Sequence, residues 1–124
     1  MTNKILVVDD EPDFCEALRD FLSDKGFSVM EANSCDEALA AYKQEKPDVV
    51  LLDVLMPGKD GRETFKELKA FDPEVSVIMI TALHEEDLAL QALADGAFDY
   101  ITKPFNPDYL EIALMTKIGL LEGN

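Results

Sequence analysis

The chain has 124 residues, 48% of which are hydrophobic, so it fits one globular domain, residues 1–124, that can bury an ordinary core. Its formal net charge of −15 at pH 7 argues against nucleic acids and anionic membranes as partners, because phosphate contacts need clustered Lys and Arg. The longest apolar runs span only a few residues and the N-terminus lacks a secretory signal, which argues against a membrane span and favours the cytoplasm.

Short runs with high strand propensity recur along the chain and predict five β-strands. They cover residues 5–8, 27–32, 49–52, 75–80 and 98–102. The first and third runs are continuously apolar, as is typical of strands in a parallel sheet that helices cover on both faces.

Apolar residues at helical spacing predict a helix after each of these strands. Residues that favour helix ends agree with this: Ser34 with Glu37 as a capping box, Asn106 before Pro107 at the start of the fifth helix, and Gly26 and Gly96 at the ends of the first and fourth. Strands that alternate with helices through short connections predict an α/β fold, an open doubly wound (βα)5 parallel sheet.

Four of the five predicted strands end in polar or charged residues. Asp9 and Asp10 follow the first strand, Asp53 the third, Thr81 the fourth and Lys103 the fifth. Ligands of open α/β sheets bind at the carboxyl ends of the strands, so these side chains are the candidate site.

The three aspartates would lie close together if the first and third strands are neighbours. Two carboxylates 4 Å apart repel each other by roughly 4 kcal/mol at an effective dielectric of 20. A hard divalent cation removes this repulsion, and Mg²⁺ fits best because it binds one or two carboxylates and is often completed by a phosphate. With the ammonium of Lys103 and the hydroxyl of Thr81, the set suits phosphoryl transfer to Asp53.

Each of these residues also has an ordinary structural interpretation. The acids at residues 9–11 could simply favour the N-terminus of the first helix, and Asp53 could merely end a strand. Thr81 could cap a loop, and Lys103 could be a solvated charge. A common site explains their shared position at the strand ends better than four separate explanations do.

Five segments in order resemble the receiver domains of bacterial two-component response regulators, the CheY-like superfamily. They are ILVVDDE at 5–11, DVVLLD at 48–53, MPGKDG at 56–61, ITA at 80–82 and GAFDYITKPF at 96–105. The likeness runs from about residue 5 to about residue 121. It implies the flavodoxin-like strand order 2-1-3-4-5.

The resemblance implies a role for each matching acidic residue. Asp53 would be the phosphoacceptor. Mg²⁺ would be bound by Asp53, by Asp10, by Asp9 directly or through water, and by the backbone carbonyl of Leu55. Such a domain is a signalling phosphoacceptor that catalyses only its own phosphorylation and dephosphorylation.

The remaining matched residues are implied to act on the phosphoryl group and in switching. Thr81 and Lys103 would contact the phosphoryl oxygens, and Tyr100 would be the switch aromatic that turns inward as Thr81 moves. The Lys103–Pro104 bond is often cis in the family. Gly58 and Gly61 fit the tight loop after Asp53.

Partners are also implied by the resemblance. The phosphoryl donor would be a phosphohistidine on a sensor histidine kinase or a phosphotransfer protein. The face built from the fourth helix, fifth strand and fifth helix would act on a downstream effector or output domain. The fourth helix, residues 86–95, has no Lys or Arg, which argues against a salt-bridged dimer typical of one transcription-factor subfamily. A monomer, or a different phosphorylation-dependent dimer, is expected.

The resemblance implies that two further positions flank the attacking water and influence how long the phosphoryl group lasts. Leu55 and Leu83 lie two residues beyond Asp53 and Thr81, and neither side chain can orient water. We expect slow self-dephosphorylation, and loss of the phosphoryl group within seconds at room temperature would refute this. Two other functions stay open: an aspartyl-phosphate phosphatase, which typically needs a second Asp at the position of Leu55, and a degenerate receiver that binds proteins without phosphorylation.

Two further expectations concern packing. Cys15 and Cys35 are far apart in sequence and are expected to be reduced structural thiols. Phe27, Phe71, Phe98 and Met30 are expected to lie in the core.

Overall fold

Strands and helices alternate in the computed structural model, which describes residues 3–56 and 59–121. The strands are β1 Lys4–Val8, β2 Ser28–Ala32, β3 Val49–Asp53, β4 Leu55–Met56, β5 Lys59–Asp60, β6 Val77–Thr81 and β7 Asp99–Thr102. The helices are α1 Pro12–Asp24, α2 Cys35–Glu45, α3 Gly61–Phe71, α4 Glu86–Ala94 and α5 Pro107–Leu121, with a 3-10 turn at Leu83–Glu85 before α4.

The main sheet in the described residues has five parallel strands in the order β2-β1-β3-β6-β7. This confirms the predicted order 2-1-3-4-5, because β4 and β5 form a separate two-stranded antiparallel ribbon. In the sheet, Val8 pairs with Leu52 and Asp53 pairs with Ile80. The register therefore brings the ends of β1, β3 and β6 level at one edge.

Each face of the sheet is covered by helices, and successive residues of β1 point to opposite cores. Ile5 and Val7 pack in the core that includes residues of α1 and α5. Leu6 and Val8 pack in the core that includes residues of α2, α3 and α4. Because helices shield both faces of the sheet from water, β1 is apolar on both faces. This explains the continuous apolar run in its sequence.

The helix ends largely follow the predicted capping residues. Asn106 Oδ1 accepts hydrogen bonds from the backbone N–H groups of Asp108 and Tyr109 at 2.9 and 3.1 Å. Ser34 Oγ accepts from Glu37 N–H at 3.2 Å, but the Glu37 carboxylate accepts from the N–H of Asn33, not from Ser34. Gly26 and Gly96 have φ values of +92° and +113°, which glycine adopts without strain.

Three strands begin later than predicted. The last, β7, starts at Asp99, one residue late. The first residues predicted for the other two belong to turns. Phe27 N–H donates to Leu22 C=O at 3.1 Å, which closes the end of α1 and delays β2 to Ser28. Val75 N–H donates to Asp72 C=O at 3.0 Å, so β6 starts at Val77. The predicted turn glycine Gly58 lies outside the described residues.

Phe71 is the clearest wrong prediction about packing. It is 48% exposed, at the last position of α3, and its ring lies edge-on against Tyr42 with the Lys43 ammonium over it.

Cys15 and Cys35 are buried free thiols, as predicted. In the described part of the chain, no helix combines the length and the apolar character needed to cross a bilayer.

Candidate functional site

The acidic residues of the candidate site meet at the carboxyl edge of the sheet. Asp53 is the last residue of β3 and Asp9 directly follows β1; both are buried, whereas Asp10 is exposed. Because Val8 pairs with Leu52, Asp9 lies level with Asp53. Among the described residues, Asp9, Asp10 and Asp53 each offer a carboxylate oxygen within 4.8 Å of the others.

Lys103 approaches this cluster from the end of β7. Its Nζ lies 3.0 Å from Asp9 Oδ2 and 3.1 Å from Asp53 Oδ2, and it also pairs with Glu11 Oε1. The backbone N–H of Lys103 donates to Thr81 C=O at 2.9 Å, which fixes the lysine beside the end of β6. The Lys103–Pro104 peptide bond is cis, as the resemblance implies.

Backbone N–H groups orient the two buried carboxylates. Leu55 N–H donates to Asp53 Oδ1 at 3.1 Å, and Glu11 N–H donates to Asp9 Oδ1 at 2.9 Å. Each carboxylate therefore has one oxygen held by the main chain and the other directed to Lys103. The loops after β1 and β3 fix the rotamers of both aspartates before any ligand binds.

The electrostatics of the site follow from burial and from repulsion among the acids. Burial raises the pKa of Asp53 to about 6, with a further contribution from the charge of Asp9, although Leu55 N–H and Lys103 oppose it. Burial likewise raises the pKa of Asp9. For Lys103, burial alone would lower the pKa, but the contacts with Glu11, Asp9 and Asp53 outweigh it and raise the pKa. One ammonium thus leaves the acids incompletely neutralised.

The donor set fits Mg²⁺. Asp9, Asp10 and Asp53 supply only carboxylate oxygens, which are the ligands this hard cation prefers. Asp9 Oδ2 is buried and accepts no hydrogen bond from the described residues. It contacts Lys103 as an ion pair. It is therefore available as a metal ligand. Leu55, whose carbonyl was predicted as a ligand, is 48% exposed and follows Asp53 by two residues.

A pH titration of stability without divalent cations is expected to reveal this excess of buried acid. The pKa of Asp53 is higher in the folded chain than its usual value of 3.8, so the folded state binds more protons between that value and about 6. The free energy of unfolding should therefore fall as pH rises through this window, by up to about 3 kcal/mol. Urea unfolding at pH 5 and pH 8 measures the part of this fall that lies above pH 5, about 1.4 kcal/mol.

Mg²⁺ in the same titration is expected to restore stability at pH 8, because it binds the ionised carboxylates of the folded state. Asp53→Asn should weaken the dependence on both pH and Mg²⁺, and Asp36→Asn, an exposed acid in the first turn of α2, should leave both unchanged. Equal stability at the two pH values in the absence of Mg²⁺ would contradict the raised pKa of Asp53.

Thr81 and Tyr100, the predicted switch residues, lie in the neighbouring strands β6 and β7. Thr81 is buried, and its hydroxyl donates to the Ala82 carbonyl at 3.0 Å. Tyr100 is half-buried, and its hydroxyl donates to Glu86 Oε2 at 3.0 Å, which raises the pKa of the tyrosine. In this structure Tyr100 is therefore tied to the first residue of α4.

Three residues of the site were not identified from sequence in the roles that the structure gives them. Glu11 was interpreted as an acid that opens α1, yet its side chain pairs with Lys103. Glu86 binds the Tyr100 hydroxyl, and no sequence signal marked it. Gly61 was assigned to a tight loop, but a Cβ there would lie 2.0 Å from the backbone oxygen of Asp53. The side chain of Leu83 lies outside the described part of the structure.

Comparisons with known proteins agree with this fold. The family model described as response regulator receiver domain matches residues 5–115. The chain is 37% identical over 109 residues to the chemotaxis protein CheY of Bacillus subtilis (strain 168), covering 87% of this chain and 91% of that protein. The crystal structure of a response regulator receiver domain protein from Clostridium thermocellum superposes with a TM-score of 0.91 at 33% identity, covering 97% of both chains.

Longer proteins are also similar to this chain. The transcriptional regulatory protein ZraR of Klebsiella oxytoca is 41% identical over 110 residues, a match that covers 89% of this chain but 25% of that protein. The chain spans about a quarter of the length of the first curated relatives it matches. The family model covers most of the chain, and CheY matches it along nearly its whole length, so the chain belongs to the CheY-like response regulator receiver domains of two-component systems.

Proposed function

We propose that residues 1–124 form one phosphoacceptor receiver domain that works in the cytoplasm. It takes a phosphoryl group from a phosphohistidine of a sensor histidine kinase or phosphotransfer protein onto Asp53, with Mg²⁺ as cofactor. The observation that carries this proposal is the buried Asp53 carboxylate, which lies beside Asp9 and 3.1 Å from the Lys103 ammonium.

The chemistry assigned to Asp53 is nucleophilic attack on phosphorus. The free Asp53 oxygen forms the new P–O bond while the P–N bond to the donor imidazole breaks, and the electron pair leaves on the imidazole nitrogen. Asp53 Oδ1 is held by Leu55 N–H, so Oδ2, which faces Lys103, is the oxygen oriented for attack. Lys103 and the Thr81 hydroxyl are assigned to the phosphoryl oxygens.

Mg²⁺ would be held by Asp9, Asp10, Asp53 and the Leu55 carbonyl, and when bound it neutralises charge on the phosphoryl oxygens. Without it, a dianionic group would enter a site where, among the described side chains, the acids already outnumber the ammonium of Lys103. The arrangement therefore favours phosphorylation that depends on a divalent cation.

Switching is proposed to start at Thr81 and to reach α4 through Tyr100. A phosphoryl group on Asp53 provides a new acceptor for the Thr81 hydroxyl, which in the resting domain donates to the carbonyl of its neighbour Ala82. Movement of Thr81 makes room for Tyr100 to turn inward and to leave Glu86. The new contacts to the phosphoryl group stabilise the active conformer and so shift the population from the inactive to the active state.

The proposed readout surface is the face of α4, β7 and α5, which would act on an effector or an output domain. A shallow pocket of about 370 Å³ opens there, lined by Tyr100, Ile101, Thr102, Asn106 and Tyr109. The domain is expected to act as a monomer or a phosphorylation-dependent dimer. The rival phosphatase function is disfavoured because Leu55 occupies the position where those enzymes typically have the acid/base aspartate.

Hydrogen exchange before and after phosphorylation tests the proposed switch. We expect altered protection in α4 and β7 when Asp53 carries a phosphoryl group. Much less change is expected in α2, which follows β2 at the opposite edge of the sheet from β7. Tyr100→Ala should remove the change at α4 without removing phosphorylation. Unchanged hydrogen exchange throughout α4 and β7 in the phosphorylated domain would contradict the proposed switch.

A further inference from the structure

The third carboxylate on Lys103 has no role in the function proposed above. Glu11 Oε1 pairs with the Lys103 Nζ that also contacts Asp9 and Asp53. The Glu11 side chain is 60% exposed and that of Lys103 only 16%, so the glutamate meets the ammonium from the solvent side. The contact joins residues 92 positions apart in sequence.

Helix capping does not account for this side chain. Glu11 is the N-cap residue of α1, but within the described residues its side chain makes no cap hydrogen bond. Its main chain is held on both sides: the N–H donates to Asp9 Oδ1 at 2.9 Å, and the C=O accepts from Cys15 N–H at 3.1 Å. A rigid backbone therefore directs the carboxylate to Lys103 and away from the helix N-terminus.

The position of Glu11 places it in competition with any incoming anion. An ammonium has three N–H donors, and here Glu11 and Asp53 accept hydrogen bonds from it, while Asp9 forms an ion pair with it. The same Nζ also lies 4.9 Å from the centroid of the Phe14 ring, which supplies no oxygen acceptor. Asp9 and Asp53 are buried and fixed by backbone N–H groups, whereas Glu11 is the exposed partner. The donor that an approaching phosphoryl oxygen can gain most readily is the one that Glu11 now occupies.

We infer that Glu11 is a positioning and specificity-determining residue that competes with phosphoryl oxygens for Lys103, an inference that rests on the function proposed for Asp53. It holds Lys103 near the acids in the resting domain and disfavours small, freely diffusing anionic phosphoryl donors. A protein donor that offers Glu11 a cation of its own would relieve this competition. Glu11 does not react; it acts through Lys103.

The test is the affinity of the Mg²⁺-loaded domain for inorganic phosphate, followed by the amide resonance of Lys103 in NMR titrations. Glu11→Gln should lower the phosphate Kd about fivefold, which corresponds to the roughly 1 kcal/mol assigned to a partly exposed ion pair. Glu11→Asp keeps the charge but shortens the side chain, so it should also lower the Kd, by a smaller factor. Glu111→Gln removes an acid that pairs with Lys25 elsewhere and should change nothing.

The variants separate a contact effect from a general effect of charge. Tighter phosphate binding in both Glu11 variants but not in Glu111→Gln is the expected result. Tighter binding in Glu11→Gln alone, equal or weaker binding in both variants, or no phosphate binding by any form would overturn the inference. Intact mass of the same samples after treatment with a small acyl phosphate reports separately on Asp53, so failure of Glu11 and failure of the phosphoacceptor remain distinguishable.

Discussion

Gly61→Ala is expected to lower the free energy of unfolding by about 3 kcal/mol, near the upper end of the usual cost of overpacking. A Cβ on Gly61 would lie 2.0 Å from the backbone oxygen of Asp53 and 2.9 Å from Val54 Cα. Both neighbours are main-chain atoms, so no side-chain rotation relieves the clash. Gly61 N–H also donates to Val54 C=O at 2.8 Å, which holds the start of α3 against this segment.

Urea unfolding of Gly61→Ala beside Gly119→Ala measures the effect. Gly119 lies in α5, and a Cβ there would meet no described atom within 4 Å, so alanine should stabilise the helix by about 0.5–1 kcal/mol. The two variants make the same chemical change with opposite expected signs. If Gly61→Ala were as stable as the parent chain, the close approach of α3 to the Asp53 main chain would be wrong.

Lys103→Met is expected to cost about 3 kcal/mol of stability at pH 8 without divalent cations, the lower end of what removal of one partner of a buried ion pair costs. Asp9 and Asp53 would lose the cation at 3.0 and 3.1 Å and would remain buried together. The cost should shrink at pH 5, because protonation then removes the repulsion. Mg²⁺ should also restore most of it, since the ion binds the same carboxylates.

Lys4→Met provides the control for Lys103→Met. Lys4 pairs with Glu45 at 3.4 Å, and both side chains are more than 40% exposed, so its loss should cost at most about 1 kcal/mol at either pH. Thermal unfolding of both variants at pH 5 and pH 8, with and without Mg²⁺, separates the two cases. Equal and pH-independent losses in the two variants would show that Lys103 does not neutralise the acids.

The fold was predictable because its signals are local. The continuous apolar run of β3 and the capping residue Asn106 indicate their elements without knowledge of the tertiary structure. The strand order is not local: periodicity left it open, and only the resemblance to receiver domains supplied it. The ribbon of β4 and β5 was missed because strands of two residues each carry no periodicity.

The candidate site was predictable where a polar residue ends an apolar run, as Asp53 and Thr81 do. Glu11 was not, because an acid at a helix start has an ordinary explanation and its pairing with Lys103 joins opposite ends of the chain. Gly61 depends on a distance to the Asp53 main chain that no spacing in sequence encodes. Phe71 fitted the apolar stripe of α3, but it lies at the last residue of that helix, where the core no longer covers it.

The central claim is that Asp53 accepts a phosphoryl group in a reaction that depends on Mg²⁺. The most direct measurement is the intact mass of the chain after incubation with a small acyl phosphate, with Mg²⁺ or with chelator, for the parent chain, Asp53→Asn and the exposed control Asp36→Asn. We predict one phosphoryl adduct in the parent chain and in Asp36→Asn, only with Mg²⁺, and none in Asp53→Asn. An adduct that persists in folded Asp53→Asn, or no adduct in the folded parent chain with Mg²⁺ present, would contradict the account.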